Sequence, residues 1–108
     1  MCGKCRGRID DVFYIVADAF DNIKLGITSG DPRPRLTDHM RDGYYQRLFL
    51  AVGLPDGVAR ATETKIMQAL YYDHDIDAIR GYEYFPPEAA DIAVNMAMDL
   101  LRDHQGAD

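Results

Sequence analysis

Two β-prone runs joined by a short polar turn constrain the fold of this chain more than any other feature. Residues 12–17 are rich in β-branched and aromatic side chains, as strands usually are. Residues 23–28 alternate strictly between apolar side chains on one face and Lys24, Gly26 and Thr28 on the other. The connection between the runs is short, which predicts an antiparallel hairpin with one apolar and one polar face.

The segment after the hairpin has the signals of a short helix. Asp31 is a suitable capping residue, and the proline that follows it suits the first helical position. A helix over residues 32–42 would bury Leu36 and Met40, which lie four residues apart. Gly43 is expected to end it.

Later patterns predict a third strand and two further helices. Residues 44–52 are strongly β-prone, Asp56 can cap a helix over residues 57–72, and residues 82–85 suggest a short extended piece. A last helix opens at the Pro86-Pro87 pair. The expected order is β-β-α-β-α-α. We therefore predict an α+β fold, with a small three-stranded antiparallel sheet flanked by helices.

Length and composition predict one folded domain. The chain has 108 residues, of which 47% are hydrophobic, enough for a core but not for two full domains. We assign residues 11–108 to a single domain and residues 1–10 to a basic arm. No apolar run approaches the ~20 residues that span a bilayer, so we expect a cytoplasmic protein with no membrane partner. For a phage-encoded chain, that compartment is the cytoplasm of the host.

The charge is distributed unevenly along the chain. The net charge is -6. Residues 1–47 hold eight Lys and Arg against seven acids, or +1, and residues 48–108 hold four against eleven, or -7. This balance argues against tight non-specific DNA binding by the domain alone, and it predicts that phosphate is contacted by the first half.

Cys2 and Cys5 form a Cys-x-x-Cys near one end of the chain. A structural zinc site needs four ligands, and one such pair supplies two. The pair is therefore either two free thiols or half of a zinc site, which a histidine or another chain would complete.

Several short motifs follow one another in an order that resembles the GIY-YIG nucleases, in particular their phage and bacterial branch. In chain order they are Val12-Phe13-Tyr14, Lys24-Leu25-Gly26, Arg35 with His39, Glu63, and Glu83-Tyr84-Phe85. Lys24 occupies the place where the second motif of the family usually has Tyr. The resemblance covers about residues 12–100.

The resemblance implies a metal-dependent endonuclease that hydrolyses DNA phosphodiester bonds. It implies Tyr14 and Lys24 as candidate bases, Arg35 with His39 as phosphate-stabilising groups, and Glu63 as the ligand of one Mg²⁺ or Mn²⁺. We assign further DNA contacts to Gly26, Thr28, Arg33 and Arg41. Domains of this family commonly depend on a second DNA-binding module, so a partner protein or a homodimer is expected to add contacts. The alternative is a weakly active or inactive module of the same fold that binds a protein or nucleic-acid partner.

The position of Glu63 in the sequence suggests a functional or structural role even without the family resemblance. In a helix it lies four residues after Ala59 and three before Ile66, so it lies along the apolar face. An unpaired buried carboxylate costs several kcal/mol, so Glu63 needs either a metal or a structural ion pair.

The other candidates have structural alternatives as well. Tyr14 is a possible core aromatic, Lys24 an exposed strand lysine and His39 a plain surface or half-buried histidine. Arg35 is a possible surface partner of Asp31 or Asp38. Tyr82, Tyr84 and Phe85 are expected to pack rather than stack on bases, and the acidic residues 73–77 are expected to form a solvated loop.

Overall fold

A computed structural model describes residues 11–79 and 84–102 of the chain. The main elements, in chain order, are β1 (Asp11–Asp18), β2 (Ile23–Ser29), α1 (Arg33–Arg41), β3 (Tyr44–Leu54), α2 (Val58–Gln68), β4 (Tyr84–Phe85) and α3 (Ala90–Leu100). Within these two ranges, none of the helices has the length and apolar character needed to cross a bilayer. The predicted basic arm and its Cys2–Cys5 pair lie outside the described residues.

The strands form one antiparallel sheet in the order β3-β1-β2-β4. This confirms the α+β class and the β1–β2 hairpin, in which Tyr14 lies opposite Gly26. The prediction of three strands and of the order β-β-α-β-α-α was wrong. Strand β4 adds a fourth through two pairs, Ile23 with Phe85 and Lys24 with Tyr84. Two residues are too few to show a strand's period of two, so the pattern predicted only an extended piece.

The two faces of the sheet are covered by different helices. Alternate residues of a strand point to opposite faces. Phe13, Ile15 and Leu25 are fully buried in a cluster with side chains of α2 and α3, and we call this side the core face. Val12 and Tyr14 point the other way into a smaller cluster with α1, and we call that side the α1 face.

Helix α1 is rotated relative to the prediction. Its inward residue is His39, which is buried, whereas Met40 is half exposed and Leu36 is only partly buried. The predicted burial of Met40 was therefore wrong, because the helix turns the side that carries His39 toward the hydroxyl of Tyr14. The helix starts after Pro32, and Asp31 Oδ1 accepts a hydrogen bond from the backbone N–H of Arg33 at 3.0 Å.

Helix α2 also differs from its prediction at both ends. Gly57 precedes it with a φ of +87°, and no side chain caps the helix, so Asp56 does not have the predicted capping role. The α-helical part ends at Gln68, and a wider turn over Ala69–Asp73 follows. Asp73 and Asp77 are exposed, as expected for a solvated loop.

Candidate functional site

The centre of the α1 face is the crossing of Tyr14 over Gly26. The two residues are paired across β1 and β2, and the Tyr14 ring lies over the glycine. A Cβ atom placed on Gly26 would lie 2.2 Å from the Tyr14 hydroxyl, closer than any non-bonded contact allows. Gly26 therefore makes the space that the Tyr14 ring occupies.

His39 completes a buried pair with Tyr14. Its Nε2 lies 2.8 Å from the Tyr14 hydroxyl, and the two rings are 5.2 Å apart. Tyr14 is 1% exposed and His39 is 6% exposed. A hydroxyl both donates and accepts, so it donates to a bare Nε2 or accepts from a protonated one. In either case the bond satisfies two polar groups that burial would otherwise penalise.

The surroundings of His39 favour its neutral form. Burial lowers the pKa of His39 most, and the positive charges of Lys24 and Arg35 lower it further, against the opposing carboxylates of Asp42 and Asp38. A neutral imidazole has one nitrogen free to accept a proton. At neutral pH, His39 is therefore equipped to accept the hydroxyl proton of Tyr14.

Lys24 reaches the same face from β2. Its side chain is buried, and Nζ donates a hydrogen bond to the Tyr84 hydroxyl at 3.0 Å. Nζ also lies 4.3 Å from the centroid of the Tyr84 ring, within range of a cation–π interaction. The Tyr84 ring contacts Tyr44 at 5.7 Å, and Tyr44 contacts His39 at 6.2 Å between centroids. Lys24 and His39 are thus linked through two tyrosines.

Arg35 lies one helical turn before His39 on α1, and its side chain is exposed. The two carboxylates predicted as possible partners of Arg35 are paired with other arginines. Asp31 pairs with Arg33 at 2.8 Å, and Asp38 pairs with Arg41 at 3.3 Å. Among residues 11–79 and 84–102, Arg35 has no ion-pair partner. Its guanidinium is available for a phosphate.

The residues predicted to contact DNA form two groups, one on β2 and one on α1. Gly26 is buried beneath Tyr14, and Thr28 is half-buried two residues further along β2. Thr28 lines a cavity of about 320 Å³ at that end of the sheet, together with Arg60 of α2. Arg33 and Arg41 are exposed on α1 and are held by the ion pairs just described.

Glu63 is placed by a different helix. It is half-buried on α2, beside the fully buried Ala59 and Ile66, and α2 packs on the core face. The helices that supply Arg35 and Glu63 thus cover opposite faces of the sheet. In the part of the chain that the structure describes, no three His, Cys, Asp or Glu side chains cluster in a way that would hold a metal. A single carboxylate fits a hydrated Mg²⁺ or Mn²⁺ that takes its other ligands from water and phosphate.

Sequence reasoning did not predict Tyr44 or Tyr84 as part of this cluster. Tyr84 was expected to pack, and its position next to Lys24 depends on the β2–β4 pairing. Tyr44 opens β3, whose register against β1 shifts at three places, so its side-chain direction does not follow from simple alternation. The tyrosine of Glu83-Tyr84-Phe85, within the motif that resembles the family, was the available signal.

Comparisons of this chain with protein-family models, with curated proteins and with solved structures found no match. A tyrosine hydroxyl bonded to a neutral imidazole lies near two cations, those of Lys24 and Arg35. This set of groups suits proton transfer next to an anionic substrate.

Proposed function

We propose that this chain is a GIY-YIG-type endonuclease that hydrolyses DNA phosphodiester bonds by attack of water. The observation that supports this most is the 2.8 Å bond between Tyr14 and His39, close to the charges of Lys24 and Arg35. Four residues on three separate elements converge there, and the resemblance names each of them. Burial alone accounts for a partner at the Tyr14 hydroxyl; the two nearby cations are what the proposed reaction adds to it.

In the proposed reaction, the oxygen of a water molecule forms a bond to phosphorus, and the bond to the leaving sugar oxygen breaks. The Tyr14 oxygen takes a proton from the water as its own proton passes to Nε2 of His39. Arg35 donates hydrogen bonds to the non-bridging oxygens, whose negative charge grows in the transition state. The leaving oxygen takes a proton from solvent. Lys24 is the second candidate base, a role that requires its neutral amine; as the cation it would instead stabilise the phosphate.

Glu63 is the residue that would hold Mg²⁺ or Mn²⁺. Because α1 and α2 cover opposite faces of the sheet, an ion held at Glu63 would supply positive charge to DNA on the α2 side and not to the phosphate that Arg35 contacts, and most of its ligands would be water and substrate oxygens. Glu63 thereby contributes one carboxylate ligand from α2.

Binding of DNA requires more than this face. Thr28 would contribute a hydroxyl contact and Gly26 would contribute through the Tyr14 ring that covers it, and Arg33 and Arg41 would exchange their carboxylate partners for phosphates. Exposed ion pairs of this kind are worth about 0–1 kcal/mol, so the exchange costs little. With a net charge of -6, we propose that a partner protein or a second copy of this chain supplies further contacts.

A binding module without effective catalysis is the second candidate. The net charge of -7 over residues 48–108 favours it, because an acidic surface engages a basic partner. Calorimetry distinguishes the two proposals. An endonuclease binds Mg²⁺ or Mn²⁺ in a way that Glu63→Ala abolishes, whereas a module shows no binding that depends on Glu63.

The direct test of nuclease activity is nicking of supercoiled plasmid by purified protein in Mg²⁺ and in Mn²⁺. We expect nicking that falls by about 10²–10³-fold in Arg35→Ala, because one charge-stabilising donor is lost. Glu63→Ala should fall as well and lose its response to the metal. Arg102→Ala is the matched control, since Arg102 is exposed and pairs with Asp99 at the far end of the chain. No nicking with any metal, or unchanged nicking in both variants, would overturn the proposal.

A further inference from the structure

We infer that Tyr84 is a positioning residue, which holds the Lys24 ammonium on the α1 face, on the same side of the sheet as His39, through a hydroxyl bond and a ring contact. The inference rests on the proposed function for its importance to catalysis, but the positioning itself is a property of the fold. The role of β4, a two-residue strand that the sequence predicted only as an extended piece, would then be to place Tyr84 next to Lys24.

The register of β4 fixes the position of Tyr84. Phe85 pairs with Ile23 and is buried in the core face, which anchors the strand. Tyr84 pairs with Lys24, and adjacent residues of a strand point to opposite faces. The anchor at Phe85 therefore places the Tyr84 ring on the α1 face, beside the lysine.

Two separate contacts restrain the ammonium. Nζ donates to the Tyr84 hydroxyl at 3.0 Å and lies 4.3 Å from the ring centroid. A lysine side chain has four flexible carbons and normally keeps its ammonium in water. Here Lys24 is only 9% exposed, so its charge is kept within the α1 face and away from bulk solvent.

The position of the Lys24 ammonium affects the pKa of His39. The charge of Lys24 is one of the causes that lower the pKa of His39, after burial. Several ionisable or polar groups surround this imidazole, namely Tyr14 of β1, Lys24 of β2, Arg35, Asp38 and Asp42 in and after α1, and Tyr44 of β3. Among them, Lys24 is the one that Tyr84 contacts directly through both hydroxyl and ring. A change at Tyr84 that frees Lys24 should therefore appear in the titration of His39.

The test is an NMR titration of His39 in the full chain. In Tyr84→Leu, Lys24 loses the hydroxyl bond and the ring contact from Tyr84, so its ammonium is held less closely to the α1 face and the pKa of His39 should rise. Tyr84→Phe keeps the ring and loses the hydroxyl, so it should give a smaller rise, and it serves if the leucine variant does not fold. Tyr72→Leu removes an exposed tyrosine at the end of α2 and should change nothing.

A double variant separates positioning from simple exposure of the site. Lys24→Met alone should raise the pKa of His39, and Tyr84→Leu should add nothing further in that background. An equal rise in both backgrounds would mean that Tyr84 acts by burying His39, and it would overturn the inference. An unchanged titration in both Tyr84→Leu and Tyr84→Phe would overturn it too.

Plasmid nicking adds the catalytic readout. We expect kcat to fall by about 10–100-fold in Tyr84→Leu, as for a misplaced catalytic group, with partial recovery in Tyr84→Phe. If the wild-type protein does not nick DNA, the proposed function fails, while the His39 titration still decides whether Tyr84 positions Lys24. If it nicks and kcat is the same in all Tyr84 variants, the positioning role in catalysis is wrong.

Discussion

Ile15 and Tyr14 are neighbours in β1, both are buried, and they face opposite sides of the sheet in very different company. Ile15 lies in the core face among apolar side chains of α2 and α3. Tyr14 lies on the α1 face, bonded to His39. Apolar burial stabilises a fold at about 25 cal/mol per Å², whereas burial of a hydroxyl or an imidazole is favourable only when each finds a partner. The core face therefore provides most of the apolar stabilisation of the fold, and the α1 face carries the polar groups on which the proposed reaction depends.

The comparison also shows that burial alone does not distinguish the two faces. Val12 and Val16 flank Tyr14 on the α1 face and are as buried as the residues of the core face. What differs is the presence of titratable groups held by specific bonds, namely Tyr14 with His39 and Lys24 with Tyr84. A buried imidazole with a lowered pKa, as at His39, is typical of functional sites.

The largest effect on stability is expected from the core face. Leu25 is fully buried there, one residue from Lys24 and pointing the opposite way. Leu25→Ala should lower the free energy of unfolding by about 2–5 kcal/mol, because it removes buried methyl groups and leaves a cavity. Urea denaturation measures this. Nicking per folded molecule should not change, and a large loss of activity in the folded protein would show that the two faces are not separate in function.

A smaller loss of unfolding free energy, specific to the α1 face, is expected at Gly26, where the Tyr14 ring leaves no room for a side chain. In Gly26→Ala the new methyl group would collide with the Tyr14 ring, at a cost of about 1–3 kcal/mol and the loss of the bond to His39. In a Tyr14→Ala background the obstacle is gone, so Gly26→Ala should cost less there. Urea denaturation of the wild type, the two single variants and the double variant gives the coupling free energy between Gly26 and Tyr14. An equal cost in both backgrounds would mean that Gly26 is needed for its backbone and not for the space above it.

The smallest effect is a pH dependence that belongs to the α1 face. The pKa of His39 is lowered in the fold from its ordinary value of 6.5. The unfolded chain therefore binds the proton more readily, and His39 contributes a loss of stability as the pH falls below about 6.5. We expect His39→Gln to reduce the difference in unfolding free energy between about pH 7.5 and about pH 5.5.

The matched control for that titration is His74→Gln. His74 is exposed in the acidic loop, so its substitution should leave the pH dependence of stability in place. If instead His39→Gln leaves the dependence intact, the imidazole is not held in its neutral form by the fold.

The sequence predicted the core face better than the α1 face, and the reason is physical. Alternation in residues 23–28 is a local property, and it correctly placed Ile23 and Leu25 together on the apolar face of a hairpin. The burial of His39 in place of Met40 depends on which side of α1 meets the sheet. Hydrophobicity favoured Met40, but the partner that decides the orientation is the distant Tyr14. The hydrogen bond between His39 and Tyr14 therefore sets which side of this nine-residue helix faces the sheet, against the helix's apolar pattern.

The remaining residues of the cluster depended on long-range pairing. Tyr84 meets Lys24 across sixty residues of chain, through a strand of two residues. Tyr44 contacts His39 from the start of β3, whose register along β1 shifts at three places. These shifts have no local sequence signal, and for Tyr84 the sequence indicated only a family-like motif in an extended piece. The separation of Glu63 from Arg35 onto opposite faces also follows from the order in which the helices pack, which spacing along the chain does not specify.

The measurement that tests this account most directly is the nicking rate of Tyr14→Phe. Phenylalanine keeps the ring over Gly26 and removes only the oxygen that His39 binds. The free energy of unfolding should fall by only about 1 kcal/mol, the usual worth of one hydrogen bond. The account predicts that the folded variant nicks plasmid about 10²–10⁴-fold more slowly than the wild type, as expected when a general base is lost. A folded Tyr14→Phe protein that nicks DNA at the wild-type rate would contradict it.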